Sequence, residues 1–103
     1  MSNYILDNRL VDERYAVAFV KLNKVTEPMT FTELRAMGVL TGSQSVCRDS
    51  LRILWVRGLI TRGARRVGDK KVPSQTFMRR EPPVTQEEYR QHFAEELWDC
   101  FNG

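Results

Sequence analysis

The sequence predicts a mostly helical α+β domain, with a three-helix core, a β-hairpin and an extra C-terminal amphipathic helix. Three observations lead to this prediction. Apolar residues recur at spacings of three and four in separate segments, which is the helical period. Two of the predicted helices begin with a Thr-x-x-Glu capping box. Ahead of the last helix, two arms joined by Gly-Asp-Lys-Lys have the composition of a hairpin.

The first two helices lie in the N-terminal third of the chain. Helix one is predicted over residues 11–25 and ends before Pro28, because proline biases its predecessor toward extended geometry. Its apolar positions are Val11, Tyr15, Ala18, Phe19, Leu22 and Val25. Helix two is brief, since a Thr30–Glu33 capping box begins it and Gly38 is a natural stop.

Helix three is predicted to begin at a cap supplied by Ser43 or Thr41 and to end at Gly58, which accepts the left-handed conformation most easily. Its apolar face carries Cys47, Leu51 and Leu54. Residues 59–67 and 72–80 are the two arms of the hairpin. Pro73 cannot donate to a ladder, so part of the second arm must be an edge or frayed.

A fourth helix is predicted after Pro82-Pro83, beginning at a Thr85–Glu88 capping box. An apolar stripe follows, made of Tyr89, Phe93, Leu97, Cys100 and Phe101. The stripe needs an apolar partner, which is either helix one of the same chain or a second copy. We hypothesise a homodimer. The predicted organisation is therefore a domain over residues 1–81 and a C-terminal helix over 82–103 that serves packing or dimerisation.

Charge is unevenly distributed along the 103 residues, although the net charge is only +3. Residues 48–80 carry ten Lys and Arg against two Asp, and residues 81–103 carry six Asp and Glu against one Arg. This asymmetry indicates a basic face for a polyanion and a separate acidic segment. The alternative is that both are simply solvated surfaces.

Several function classes find no support in the sequence. It contains no Gly-x-Ser-x-Gly motif, no phosphate-cradling glycine loop, and no histidine near Cys47 or Cys100. Both cysteines are expected to remain thiols, and the lone His92 is expected to be solvent-exposed and idle. We therefore predict a binding protein without catalytic residues, metal or cofactor. With no apolar run of about 18 residues, it is expected in the cytoplasm, away from membranes.

The order of these elements resembles a winged-helix domain of the bacterial and phage transcription-regulator type. The residues that carry the resemblance are T-F-T-E-L-R-A-M-G, S-Q-S-V-C-R-D-S-L-R-I-L and W-V-R-G-L-I-T-R-G, and the match covers about residues 11–80. The C-terminal helix lies outside it.

The resemblance implies that helix three is a recognition helix in the major groove of double-stranded DNA. The implied DNA-binding residues are Ser43, Gln44, Ser45, Arg48 and Arg52 on this helix, and Arg65, Arg66, Lys70 and Lys71 on the wing. Gln44 suits adenine, Arg48 suits guanine, and Arg52 suits a phosphate. The wing residues would position the domain without reading sequence.

These features predict a small sequence-specific regulator that occupies an operator of a phage, plasmid or bacterium. The alternative from another class is a protein-interaction module that docks on a polymerase, nuclease or replication factor through Trp55, Val56 and the C-terminal helix. A third reading is a replication or packaging factor acting on an origin or terminus.

Overall fold

The computed structural model describes residues 8–66, 68–69 and 72–102, and this part of the chain is an α+β fold. Its helices are α1 (Glu13–Leu22), α2 (Phe31–Ala36), α3 (Gln44–Val56), α4 (Gln86–His92) and α5 (Asp99–Asn102), with a 3-10 turn at Glu95–Leu97. Its strands are β1 (Met29–Thr30), β2 (Ile60–Arg65) and β3 (Ser74–Arg79).

Side-chain caps begin the helices where the sequence indicates. The predicted capping box of α2 is present, because Glu33 N donates to Thr30 Oγ1 and Thr30 N donates to Glu33 Oε1. Of the two candidate caps for α3, Ser43 is the one used, and its Oγ accepts from Val46 N at 3.2 Å. Gly58 follows this helix at φ +74°, in the left-handed region as predicted.

Helix one is shorter than predicted. Asp12 caps α1 by accepting from Arg14 N, so Val11 lies before the first turn and is 75% exposed. At the other end, Val25 is buried but lies beyond the last helical residue, Leu22. The apolar spacing thus identified the buried face correctly and overran both ends.

The strands form one antiparallel sheet in the order β1-β3-β2, with β3 in the centre. β1 was not predicted, because two residues carry no strand pattern. It pairs Met29 with Phe77 and Thr30 with Thr76. The prediction that part of the second arm is an edge or frayed is confirmed, because β1 reaches only Thr76 and Phe77, and Ser74 and Gln75 pair with β2 alone. Pro73 lies just before the strand and needs no ladder partner there.

The core lies between the helices and one face of the sheet. It contains Phe19, Leu22, Leu34, Leu54 and Phe77, all at most 6% exposed. Cys47 belongs to the same core, as predicted, and both it and Cys100 are free thiols.

The C-terminal segment is not the single amphipathic helix that the sequence predicts. Helix α4 ends at His92 because Phe93 is extended, at φ −124° and ψ 143°. Phe93 forms a parallel bridge with Leu10, in which Leu10 N donates to His92 O at 2.7 Å and Ala94 N donates to Leu10 O at 2.8 Å. The 3-10 turn and α5 follow this break.

The apolar stripe nevertheless finds a partner, which is helix α1 of the same chain. Phe19 stacks on Tyr89 with ring centroids 5.6 Å apart and contacts Phe93 at 5.7 Å and Phe101 at 6.5 Å. Tyr89 and Phe93 are fully buried. Of the two predicted partners for the stripe, helix one is the one observed, and a homodimer would need a different surface.

Arg57 joins the end of α3 to both terminal segments. Its guanidinium donates to the backbone oxygens of Asn8 and His92. The prediction that His92 is exposed and idle is wrong, since its side chain is partly buried and its carbonyl oxygen accepts hydrogen bonds. Burial, and then the charge of Arg57, lower the pKa of the His92 imidazole.

A bidentate ion pair holds α4 against the end of the sheet. Arg80 Nη1 and Nη2 donate to the Glu88 carboxylate at 2.7 and 2.6 Å. These hydrogen bonds are the main cause that lowers the pKa of Glu88 from 4.5 to about 2. The folded pKa is depressed, so this stabilisation is fully present above about pH 4.5 and is lost as the pH falls toward 2.

The pH dependence of stability should therefore change when Glu88 is replaced. We expect the Tm of wild type to fall more steeply between pH 4.5 and 2 than that of Glu88→Gln, which has no carboxylate to protonate. Circular dichroism melts across this range measure the difference. Glu87→Gln on the same helix is the control and should follow wild type. Parallel curves for wild type and Glu88→Gln would contradict the ion pair.

Candidate nucleic-acid interface

A groove of about 590 Å³ lies between α3, the start of α2 and the β2–β3 hairpin. Three arginines line it, Arg48 and Arg52 from α3 and Arg62 from β2, and we call it the arginine groove. Its other lining residues are Thr30, Phe31, Thr32, Glu33, Leu51, Trp55, Ser74, Gln75 and Phe77.

Helical spacing explains why one side of α3 lines the groove. Arg48, Arg52 and Trp55 are spaced by four and three residues, so they lie on one side of the helix. The buried residues Cys47, Leu51 and Leu54 have the same spacing one position earlier. Because Cys47, Leu51 and Leu54 pack into the core, they fix the rotation of α3. Arg48, Arg52 and Trp55 therefore face the hairpin.

Two of the groove arginines stack on aromatic rings. The guanidinium carbon of Arg48 lies 4.4 Å from the ring centroid of Phe31, and that of Arg62 lies 3.6 Å from the ring centroid of Trp55. A guanidinium over an aromatic face is attracted by the ring quadrupole. Each side chain is thereby held against a wall of the groove.

Within the described part of the chain, ion pairs do not neutralise the charge of the groove arginines. Among the described residues, none of Arg48, Arg52 and Arg62 forms an ion pair. Arg65 differs, because its guanidinium pairs with Glu33 and donates to Pro28 O. Like charges gathered in one concave surface raise the local concentration of anions.

The predicted DNA-binding residues fall into separate groups. Arg48 and Arg52 lie together in the groove, and Gln44 and Ser45 are exposed in the first turn of α3. The Ser43 hydroxyl is occupied as the cap. On the hairpin, Arg66 is exposed and Arg65 turns back toward α2. Lys70 and Lys71 lie outside the described residues.

Sequence reasoning missed the role of the aromatic residues in the groove. Phe31 follows the cap of α2, and no sequence signal relates it to Arg48. For Trp55 the sequence left open a contact with the C-terminal helix or with a protein partner, and its ring lies 3.6 Å from the guanidinium carbon of Arg62, with the residue 38% exposed. The position of Trp55 shortly before a basic hairpin was the sequence feature that could have indicated a contact with an arginine.

The described part of the chain was also compared with the requirements of a metal site and of a membrane-spanning helix. No three His, Cys, Asp or Glu side chains in residues 8–66, 68–69 and 72–102 gather as metal ligands. Within the same residues, no helix has the length and apolar character required to cross a membrane.

Comparisons with known proteins leave the family open. No protein-family model matches the sequence, and no curated protein sequence matches it. The chain is similar to the crystal structure of the circadian clock associated protein Pex from Anabaena, with a TM-score of 0.48 and 14% identity. The similarity covers 96% of this chain and 85% of that one. A likeness of this size assigns neither a family nor a function.

Proposed function

We propose that this protein is a winged-helix regulator that binds double-stranded DNA sequence-specifically and acts by occupying an operator of a phage, plasmid or bacterium. The observation that carries the proposal is the arginine groove beside α3. It combines three arginines that have no carboxylate partner among the described residues with the exposed polar start of a helix. Cationic, partly aromatic concave surfaces suit a polyanion.

The same arrangement supports α3 as the reading helix. Gln44 lies one turn before Arg48, so a duplex that contacts the arginine groove also meets the first turn of α3. Gln44 can bond adenine through its amide, and Ser45 accepts or donates at a base edge. Arg66 on the exposed side of the hairpin supplies a backbone contact that carries no sequence information.

Fluorescence anisotropy of labelled duplexes tests the proposal. The DNA upstream of the gene and a random duplex of equal length are titrated with protein across a salt series. We expect tighter binding to the upstream duplex, with a log K against log salt slope of about −3 or steeper, because three arginines release about 0.9 counterion per neutralised phosphate. No binding to either duplex at about 50 mM salt would refute a DNA-binding role.

A protein-interaction module is the second candidate, and the exposure of Val56 favours it. This side chain is 70% exposed at the end of α3, where a partner could bury it. Such a protein would fail the anisotropy test and would keep its function after the groove arginines are neutralised.

A further inference from the structure

The ring stacks leave the hydrogen-bonding edges of the groove arginines free. Stacking uses the flat face of a guanidinium, whereas its five N–H donors point outward in the plane. Those donors match two oxygens of a phosphate in a bidentate arrangement. Among the described residues, Arg48 and Arg62 have ring contacts and form no ion pair, so their donors are available to a ligand.

The two stacks also join different walls of the groove. Phe31 at the start of α2 holds Arg48 of α3, and Trp55 of α3 holds Arg62 of β2. A long arginine side chain normally samples many rotamers and loses that freedom on binding. Holding both guanidiniums in place before binding reduces this loss.

The position of Arg48 on α3 indicates which part of DNA it meets. Residues of a helix advance by about 100° each, so the ridge opposite the buried face of α3 carries Ser45, Asp49, Arg52 and Val56, all exposed. Arg48 lies to the side of this ridge and faces Phe31 across the groove. In helix-turn-helix domains the N-terminal residues of the recognition helix contact base edges. Gln44 and Ser45 belong to the first turn of α3, whereas Arg48 begins the second turn and lies to the side, toward the flanking backbone.

We propose that the arginine groove binds the phosphodiester backbone of DNA, and that Phe31 and Trp55 are positioning residues that orient Arg48 and Arg62 toward a phosphate. The inference rests on the proposed function. It gives Arg48 a backbone role in place of the guanine contact predicted from the sequence.

A double-mutant cycle at Trp55 and Arg62 tests the positioning role, with anisotropy on the upstream and random duplexes. Trp55→Ala should weaken binding to both duplexes by the same factor, about three- to tenfold. Trp55→Phe, which keeps an aromatic face, should recover most of the affinity. In an Arg62→Ala background, Trp55→Ala should change affinity little, because its effect passes through Arg62. Val11→Ala is the control, because Val11 is 75% exposed and does not line the arginine groove, and it should bind like wild type.

A structural role for Trp55 alone would give a different pattern. Urea unfolding of each variant measures its stability. If Trp55→Ala lowered the affinity by the same factor with and without Arg62→Ala, the positioning role would be overturned. Arg62→Lys, which keeps the charge and the Trp55 side chain but loses the flat stacking face, should also weaken binding. Wild-type affinity in Arg62→Lys would contradict the proposal even if Trp55→Ala did not fold.

Arg48→Ala separates backbone contact from base reading. Equal loss of affinity for the upstream and random duplexes is expected for a phosphate contact, whereas a loss confined to the upstream duplex would overturn the backbone assignment. If wild type binds neither duplex, the proposed function itself fails. If wild type binds and these variants match it, only the present inference fails.

Discussion

Replacing Arg48, Arg52 and Arg62 together with glutamine is expected to weaken DNA binding by about 10²- to 10³-fold at about 0.1 M salt. Each arginine that neutralises a phosphate releases about 0.9 counterion, so the salt slope should also become shallower by about three. Anisotropy titrations of the triple variant across the same salt series as wild type measure both quantities.

A variant with the same net charge separates the arginine groove from overall charge. Replacing Arg14, Lys21 and Arg90 with glutamine also removes three positive charges, and none of these residues lines the groove. We expect this control to keep the wild-type slope to within about one. If the two variants lost affinity equally, the groove would have no special part in binding, and the protein-interaction alternative would gain support.

Phe19→Ala is expected to lower the free energy of unfolding by about 3–5 kcal/mol. The Phe19 ring is fully buried and contacts Tyr89 and Phe93 from the C-terminal segment, so its removal leaves a cavity that these rings cannot fill. A loss of this size is a large part of the roughly 5–15 kcal/mol by which a small domain is stable. Urea denaturation followed by tryptophan fluorescence measures it.

Val11→Ala is the matched control, because apolar spacing alone assigns Val11 and Phe19 to the same helical face. Val11 is 75% exposed, and its replacement should change the free energy of unfolding by no more than about 0.5 kcal/mol. A mild effect of Phe19→Ala would mean that the C-terminal segment does not pack on α1. Equal effects of both substitutions would favour the longer helix that periodicity predicts.

Local signals account for the parts of the fold that the sequence predicted well. The Thr30–Glu33 box and the Ser43 cap depend on residues three apart, so they can be recognised in the sequence. The break at Phe93 depends on Leu10 from the other end of the chain, which pairs with it in the folded state. Strand β1 likewise exists only because β3 lies beside it. Neither feature leaves a local signal.

The same difference between local signals and contacts of distant residues applies to the candidate site. Helical spacing was enough to group Arg48 with Arg52, because both belong to one helix. The ring contacts of Arg48 and Arg62 depend on how α2 and the sheet pack against α3, and the pairing of Arg65 with Glu33 joins residues far apart in sequence. The sequence could therefore predict which elements would be basic, but not which guanidiniums would be available.

The short strand β1 supports the β2–β3 hairpin at one end only. At this end, Thr76 and Phe77 of β3 have β1 on one side and β2 on the other. At the other end, Ser74 and Gln75 pair with β2 alone. The Arg65–Glu33 ion pair connects this part of the hairpin to α2. An exposed ion pair is weak and is screened by salt. We therefore expect the hairpin to deform more easily at Ser74 and Gln75 than at Phe77, which is buried in the core.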